Sequence, residues 1–179
     1  MIEFITDRDI YEKVICERIA KVRRFLWAAT SDLKDLHVHK NGKMVPFLEV
    51  LSDLIERKVE IRLLHAKEPG RAFREDFDRY PNLIRGMERI LCPRVHLKAV
   101  VIDGAFAYMG SANLTGAGMG AKSKNKRNFE AGIITDDKAL VEAIMEQFDG
   151  IWRGIHCPAC RRKEFCADYK DLQAAGQSK

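Results

Sequence analysis

Apolar and polar residues follow one another along the chain in two rhythms, and the changes of rhythm mark the elements. Between residues 7 and 22, Ile10, Val14, Ile15, Ile19 and Val22 recur at helical spacing, with Asp7 placed to cap the start. Phe25 to Thr30 is a short apolar run, the form of a buried strand. Residues 31–43 turn polar around Asn41-Gly42 and read as a loop carrying His37 and His39. Pro46 to Lys58 repeats the helical rhythm through Phe47, Val50, Leu51 and Leu54, and Val59 to His65 is a second strand. A strand–helix–strand order with short links predicts a parallel pair. Residues 67–90 are more polar, broken at Pro69-Gly70 and Pro81, and read as two short helices. From Val95 the alternation becomes twofold, Asp103-Gly104 signals a tight turn, and Ala105 to Met109 returns as an antiparallel partner. Asn128 to Thr135 is a further strand. A last helix, capped by Asp136 or Asp137, carries Leu140, Ile144, Phe148, Ile151 and Trp152. The sum is an α/β sandwich around a mixed sheet.

Composition changes this picture little. The 179 residues suit one domain with room for a short tail, and 46% hydrophobic with 32% charged residues is ordinary for a globular protein. No apolar run approaches the length of a membrane span, and the start, with Glu3, Asp7 and Asp9, does not resemble a signal peptide, so the cytoplasm is expected. A net charge of +5 leans modestly towards an anionic partner. Five cysteines, three of them in the last 23 residues, favour a metal or free thiols over a disulfide framework.

Candidate chemistry gathers on the 95–113 hairpin. Alternation puts His96 and Lys98 on one face, and the return strand delivers Gly110-Ser111-Ala112-Asn113 beside them. An imidazole, an ammonium, a hydroxyl and an amide around one small volume suit a phosphodiester: the first can attack or move protons, the others can hold anionic oxygens. The stretch that follows is rich in glycine and then basic, with Lys122, Lys124, Lys126 and Arg127, and reads either as a phosphate-contacting loop or as a flexible solvated one. His37 and His39 are weaker candidates, since paired loop histidines usually have no site role.

His96, Lys98, Asp103, Gly110, Ser111 and Asn113 together resemble the signature His-x-Lys-x4-Asp-x6-Gly-Ser-x-Asn of the phospholipase D superfamily, with every fixed position present. The resemblance covers about residues 7–153 and implies a catalytic domain over 1–153, an α-β-α sandwich, followed by a tail over 154–179. Active sites in that superfamily use two copies of the motif, and this chain has one. The resemblance therefore implies a homodimer whose site is shared across a twofold axis. His96 of one subunit would attack phosphorus and form a phosphohistidine, while the second His96 would protonate the leaving oxygen and then activate water. Lys98, Ser111 and Asn113 would hold the non-bridging oxygens. Glu130 matches the downstream acid of single-motif members and would orient the histidine, with Asp103 the second candidate. No cofactor is implied for catalysis, because lysines bring the positive charge. A nuclease acting on DNA or RNA ranks first. A phospholipase or other lipid phosphodiesterase is the alternative, and a non-catalytic nucleic-acid-binding protein comes third.

The tail lies beyond the resemblance. Cys157-Pro158-Ala159-Cys160, with Cys166 following, has the spacing of a thiolate metal site, structural zinc or an iron–sulfur cluster, with Cys92 preferred over His156 as fourth ligand. A redox pair and plain free thiols remain the rivals.

Overall fold

The computed structural model describes residues 1–34 and 36–168. In chain order its elements are β1 (Ile2–Thr6), an N-terminal helix of π type (Ile10–Arg18) prolonged by a 3-10 turn (Ile19–Lys21), β2 (Phe25–Thr30), β3 (His37–Lys40), β4 (Lys43–Pro46), α1 (Phe47–Glu56), β5 (Glu60–His65), α2 (Arg71–Asp78), α3 (Asn82–Gly86), β6 (Met87–Leu91), β7 (Ala99–Ile102), β8 (Phe106–Gly110), β9 (Ala131–Thr135) and α4 (Lys138–Trp152), with a 3-10 turn at Lys163–Phe165. Seven strands form one mixed sheet in the order β1-β9-β8-β7-β2-β5-β6. As the strand–helix–strand pattern predicts, β2 and β5 are parallel, and β5 and β6 likewise. The pairs β2–β7, β7–β8, β8–β9 and β1–β9 are antiparallel.

Alternation along the central strands divides the core in two. Leu26, Ala28, Ile61, Leu63, Val100, Ile102 and Tyr108 face the N-terminal helix and α1, meeting Ile10, Val14, Leu51 and Leu54. On the opposite face Ala99, Val101 and Ala107 meet Val141 and Ile144 of α4, and Phe148 of α4 stacks on Trp27 with ring centroids 5.1 Å apart. The Asp137 side chain accepts the Leu140 N–H at 3.0 Å, so it, rather than Asp136, caps α4. Among the described residues no helix is long and apolar enough to cross a membrane.

Four expectations change. The polar run 31–43 is not a plain loop: Asn41 (φ 50°) and Gly42 (φ 76°) form the two-residue turn that pairs Lys40 with Lys43 in the β3–β4 hairpin. Asp7 does not cap the first helix, for it sits at φ 46° and its carboxylate accepts the Glu130 N–H at 2.9 Å instead. Both edge strands escaped the pattern. In β1 the outward residues Ile2 and Phe4 are apolar and exposed, so polarity does not distinguish its two faces. In β6 the charges Glu88 and Arg89 hide an edge strand at the end of the polar stretch read as two short helices.

Candidate active site

The carboxyl ends of the parallel strands β2, β5 and β6 share one edge of the sheet, and antiparallel β7 enters and β8 leaves at that same edge. His96 and Lys98 lie in the extended segment just before β7, not inside it, but pairing still reaches them: the Gly110 N–H donates to the Lys98 carbonyl at 3.1 Å. His96 is exposed at the surface, whereas Lys98 is only 6% exposed. The Lys98 Nζ stands 3.1 Å from each ring nitrogen of His96 and donates to the His96 carbonyl at 2.8 Å. Loss of hydration pushes the Lys98 ammonium below its ordinary value, and the charge of Glu130 works in the other direction. A cation with little water around it and a surface imidazole in contact is well placed to take an anionic oxygen.

Gly110 opens the second half of the site because nothing larger fits. A Cβ there would lie 2.5 Å from the Ala131 carbonyl oxygen and 2.5 Å from the Tyr108 hydroxyl. The close approach of β8 and β9, with Gly110 opposite Gly132, lets the Ser111 hydroxyl accept the Ala131 N–H at 3.1 Å and donate to a Glu130 carboxylate oxygen. The other oxygen of Glu130 accepts from Asn128 Nδ2 at 3.0 Å, and its backbone N–H is held by Asp7. Tyr108 lies beneath, buried, with its phenol pushed up to about 12 chiefly by burial.

Asn113 is anchored from β2. Its carboxamide oxygen accepts from the Ser31 N–H at 3.1 Å and the Ser31 hydroxyl at 2.8 Å, with the Thr30 hydroxyl 3.2 Å away. That leaves the amide NH2 as the end without a protein acceptor among the described residues, and it is the end an anionic oxygen would need. Sequence reading missed Thr30, Ser31 and Asp7, which position Asn113 and Glu130. The only local trace they leave is a Thr-Ser pair closing an apolar strand, at the carboxyl edge of a parallel pair, and that pattern is too common to single out a site.

His96, Lys98, Ser111, Asn113 and Glu130 are thus brought to one edge. Asp103 is not among them. It lies beyond the far end of β7, in the turn, at φ 56°, where its carboxylate accepts the backbone N–H groups of Arg23, Arg24 and Phe25 at 3.1, 2.7 and 3.0 Å. Desolvation, the largest single influence, raises its pKa, but the three amides and Arg24 outweigh it, and the net position is below the ordinary value. Asp103 therefore ties the hairpin turn to the start of β2. His37 and His39 sit in the β3–β4 hairpin, where the His37 carbonyl and the His39 N–H bond the Tyr11 hydroxyl, not the site. Lys122, Lys124 and Lys126 are exposed and Arg127 is half-buried on the loop that leads through Phe129 into Glu130. At the tail, Cys92, Cys157, Cys160 and Cys166 line one cavity, and among the described residues no three metal-ligating side chains stand close enough, as placed, to share an ion.

Comparison with known proteins follows the same lines. The family model described as cardiolipin synthase, PLD-like domain, matches residues 15–152, and the chain belongs to this phospholipase D-like family. Among solved structures, NucT from Helicobacter pylori superposes with a TM-score of 0.61 at 14% identity, covering 86% of this chain and 97% of that one. The phospholipase D family member Nuc from Salmonella typhimurium gives 0.63 at 15% identity over 86% and 94%. A phosphatidylserine synthase from Haemophilus influenzae gives 0.59 at 13% over 84% and 38%. A search of curated protein sequences finds no match. The family match spans most of the chain, and these structures share its fold, so the protein carries a phospholipase D-like domain.

Proposed function

We propose that the protein is a nuclease acting through a phosphohistidine, with its active site shared across a homodimer. The observation that carries the reading is the single, surface-exposed His96 seated on a desolvated Lys98, beside Ser111, Asn113 and Glu130. One such set is half of a two-histidine site. In the shared site, a lone pair of one His96 forms the N–P bond as the P–O bond to the leaving group breaks. The second His96 gives its proton to the departing oxygen. Water then adds to phosphorus, losing its proton to that second histidine, and the N–P bond breaks to regenerate the first. Lys98 and the Asn113 amide hold the non-bridging oxygens throughout. Through Ser111, Glu130 fixes the loop around the reacting phosphate.

A surface for the second copy adjoins the site. Cross-strand register lines up Phe4, Ile133 and Met109 on the face of the sheet that α4 covers at β7 and β8. On β1 that face carries the exposed Ile2 and Phe4, 62% and 69% exposed. An apolar row running up to Gly110 suits a self-complementary contact.

Nucleic acid is favoured over lipid by the approach to Glu130. Three exposed lysines and Arg127 lead to Phe129, which is 98% exposed, so a charged track for phosphates ends on an aromatic face for a base. The test is one panel of labelled single-stranded DNA, duplex DNA, RNA and phosphatidylcholine, each with EDTA, using wild type and His96→Asn. Wild type should cut a nucleic acid in EDTA, trap an acid-labile phosphoryl-enzyme, and lose both with His96→Asn. Turnover of the lipid alone would establish the phospholipase reading instead. Binding of nucleic acid without turnover would overturn the catalytic one.

A further inference from the structure

The family match ends at residue 152, and the structure continues through residues 153–168 as a segment with almost no core of its own. Its 3-10 turn buries no residue, and its large apolar side chains, Ile155 and Phe165, are 58% and 60% exposed. Yet the segment is not splayed from the body. The Asp168 carboxylate accepts the Leu91 N–H at 2.6 Å, and the Cys166 thiol points at the Leu91 carbonyl 3.7 Å away. Something other than hydrophobic burial has to hold a fold of this size together.

Four of the five cysteines border that place; as placed no three of them stand close enough to share an ion, so binding would turn their side chains inward, Cys166 leaving the Leu91 carbonyl. Cys92, from the turn after β6, and Cys157, Cys160 and Cys166, from the tail, line one small open pocket. The backbone around them has the form of a thiolate knuckle: the Cys160 N–H donates to the Cys157 carbonyl at 3.1 Å, and the Arg162 N–H donates to the Cys160 sulfur at 3.4 Å. Tight turns of this kind let two thiolates with two residues between them face one ion, and the N–H···S bond supports a ligating sulfur. The fourth position need not come from the histidine beside the knuckle. His156 lines the adjoining cavity with Cys92, Cys157 and Cys160, but not the one that holds all four sulfurs.

We propose that Cys92, Cys157, Cys160 and Cys166 form a structural tetrahedral zinc site that fastens the segment after α4 to the turn leading into His96. The assignment is independent of the phosphodiesterase reading. On binding, each thiol loses its proton to solvent and the sulfur gives its lone pair to the ion, with no change in oxidation state. Four protein ligands leave no open position for water, so the ion braces the structure and takes no part in hydrolysis. Its place is nonetheless strategic. Cys92 begins the turn closed by the Val95 N–H on the Cys92 carbonyl at 2.9 Å, and His96 is the next residue.

The experiment uses the full chain purified under reducing conditions. Elemental analysis should give about one zinc per chain, and cobalt exchanged for zinc should give the visible absorption of a tetrahedral cobalt–thiolate centre. Cys160→Ser and Cys166→Ser should each lose most of the metal and lower the melting temperature by several degrees. Cys16→Ser should keep both unchanged, since Cys16 is exposed on the N-terminal helix, and His156→Ala should also keep the metal. If the serine variants fail to fold, the cobalt spectrum and the zinc content of wild type still decide. No zinc bound even after reconstitution, an iron–sulfur cluster in its place, a disulfide among these cysteines in the reduced preparation, or metal lost with His156→Ala would each overturn the assignment.

Discussion

Replacing Asp103 separates a fold-holding role from a catalytic one. Its carboxylate receives three backbone N–H groups at 2.7 to 3.1 Å. Hydrogen bonds to a charged group contribute about 1.5–3 kcal/mol each, and half-exposure argues for the low end. Asp103→Asn keeps one acceptor oxygen for Arg24 and Phe25 but turns an NH2 towards the Arg23 amide, so a loss of about 2 kcal/mol is expected. Asp103→Ala also puts alanine at a φ of 56°, where it lacks the tolerance of Asp or Asn. That strain costs about 1–2 kcal/mol and comes on top of the loss of all three amide contacts, so the Ala variant should be the less stable of the two. For a chain of this length each kcal/mol moves the melting temperature by about 2–4 °C, so the Asn variant should melt about 4–8 °C lower. The sign with pH follows from the lowered pKa of Asp103. A carboxylate depressed in the folded state stabilises above its unfolded value near 3.9 and loses that contribution as pH falls through the folded one. Wild type and Asp103→Asn should therefore differ at neutral pH and converge in acid. The assay is urea unfolding at several pH values beside phosphodiester turnover per folded molecule, which should be unchanged in Asp103→Asn. Full stability with turnover collapsed would refute the reasoning and return Asp103 to the chemistry.

Mixing wild type with His96→Asn should reduce activity as the square of the wild-type fraction, to roughly a quarter at equal amounts, if both subunits serve one site; a linear fall would argue for self-sufficient chains. Phe129→Ala should raise the KM for single-stranded DNA by roughly 5- to 150-fold, the range of about 1–3 kcal/mol per stacked base, while leaving hydrolysis of a small nitrophenyl phosphodiester unchanged. Equal losses on both substrates would mean that Phe129 shapes the site rather than gripping a base. Gly110→Ala should destabilise by about 1–3 kcal/mol or more through overpacking against Ala131 and Tyr108, measured by urea midpoint. An unchanged midpoint would show that β8 and β9 can part there at no cost.

The motif was legible because its chemistry dictates residue types: an imidazole, an ammonium, a hydroxyl and an amide at fixed spacing are what an attacked phosphodiester demands. The Asp103-Gly104 turn signal also predicts a return strand beside Lys98, and Gly110 does bond the Lys98 carbonyl. Long-range supports were not legible. Asp7 meets Glu130 across 123 positions, and Ser31 meets Asn113 across 82, and a lone Asp or Ser carries no periodic mark. Asp103 shows the opposite hazard. Its place in the motif suggested catalysis, whereas its positive φ and three amide partners give it a turn's work. The π winding of the first helix also left no trace, because Ile10, Val14, Ile15 and Ile19 satisfy a spacing of four or five as well as an α pattern.

The strand order has a consequence for biosynthesis. The β7–β8 hairpin closes between near neighbours in sequence, so half of the reactive cluster can assemble as soon as it leaves the ribosome. β1 precedes the other strands in the chain yet, among the described residues, pairs only with β9, from Ile2 against Thr135 to Thr6 against Ala131. Until the ribosome has passed residue 135, its apolar residues Ile2, Phe4 and Ile5 have no strand beside them. A nascent chain stalled in that interval would present an unpaired, sticky edge, and chaperone capture or aggregation should concentrate on stalled lengths shorter than β9.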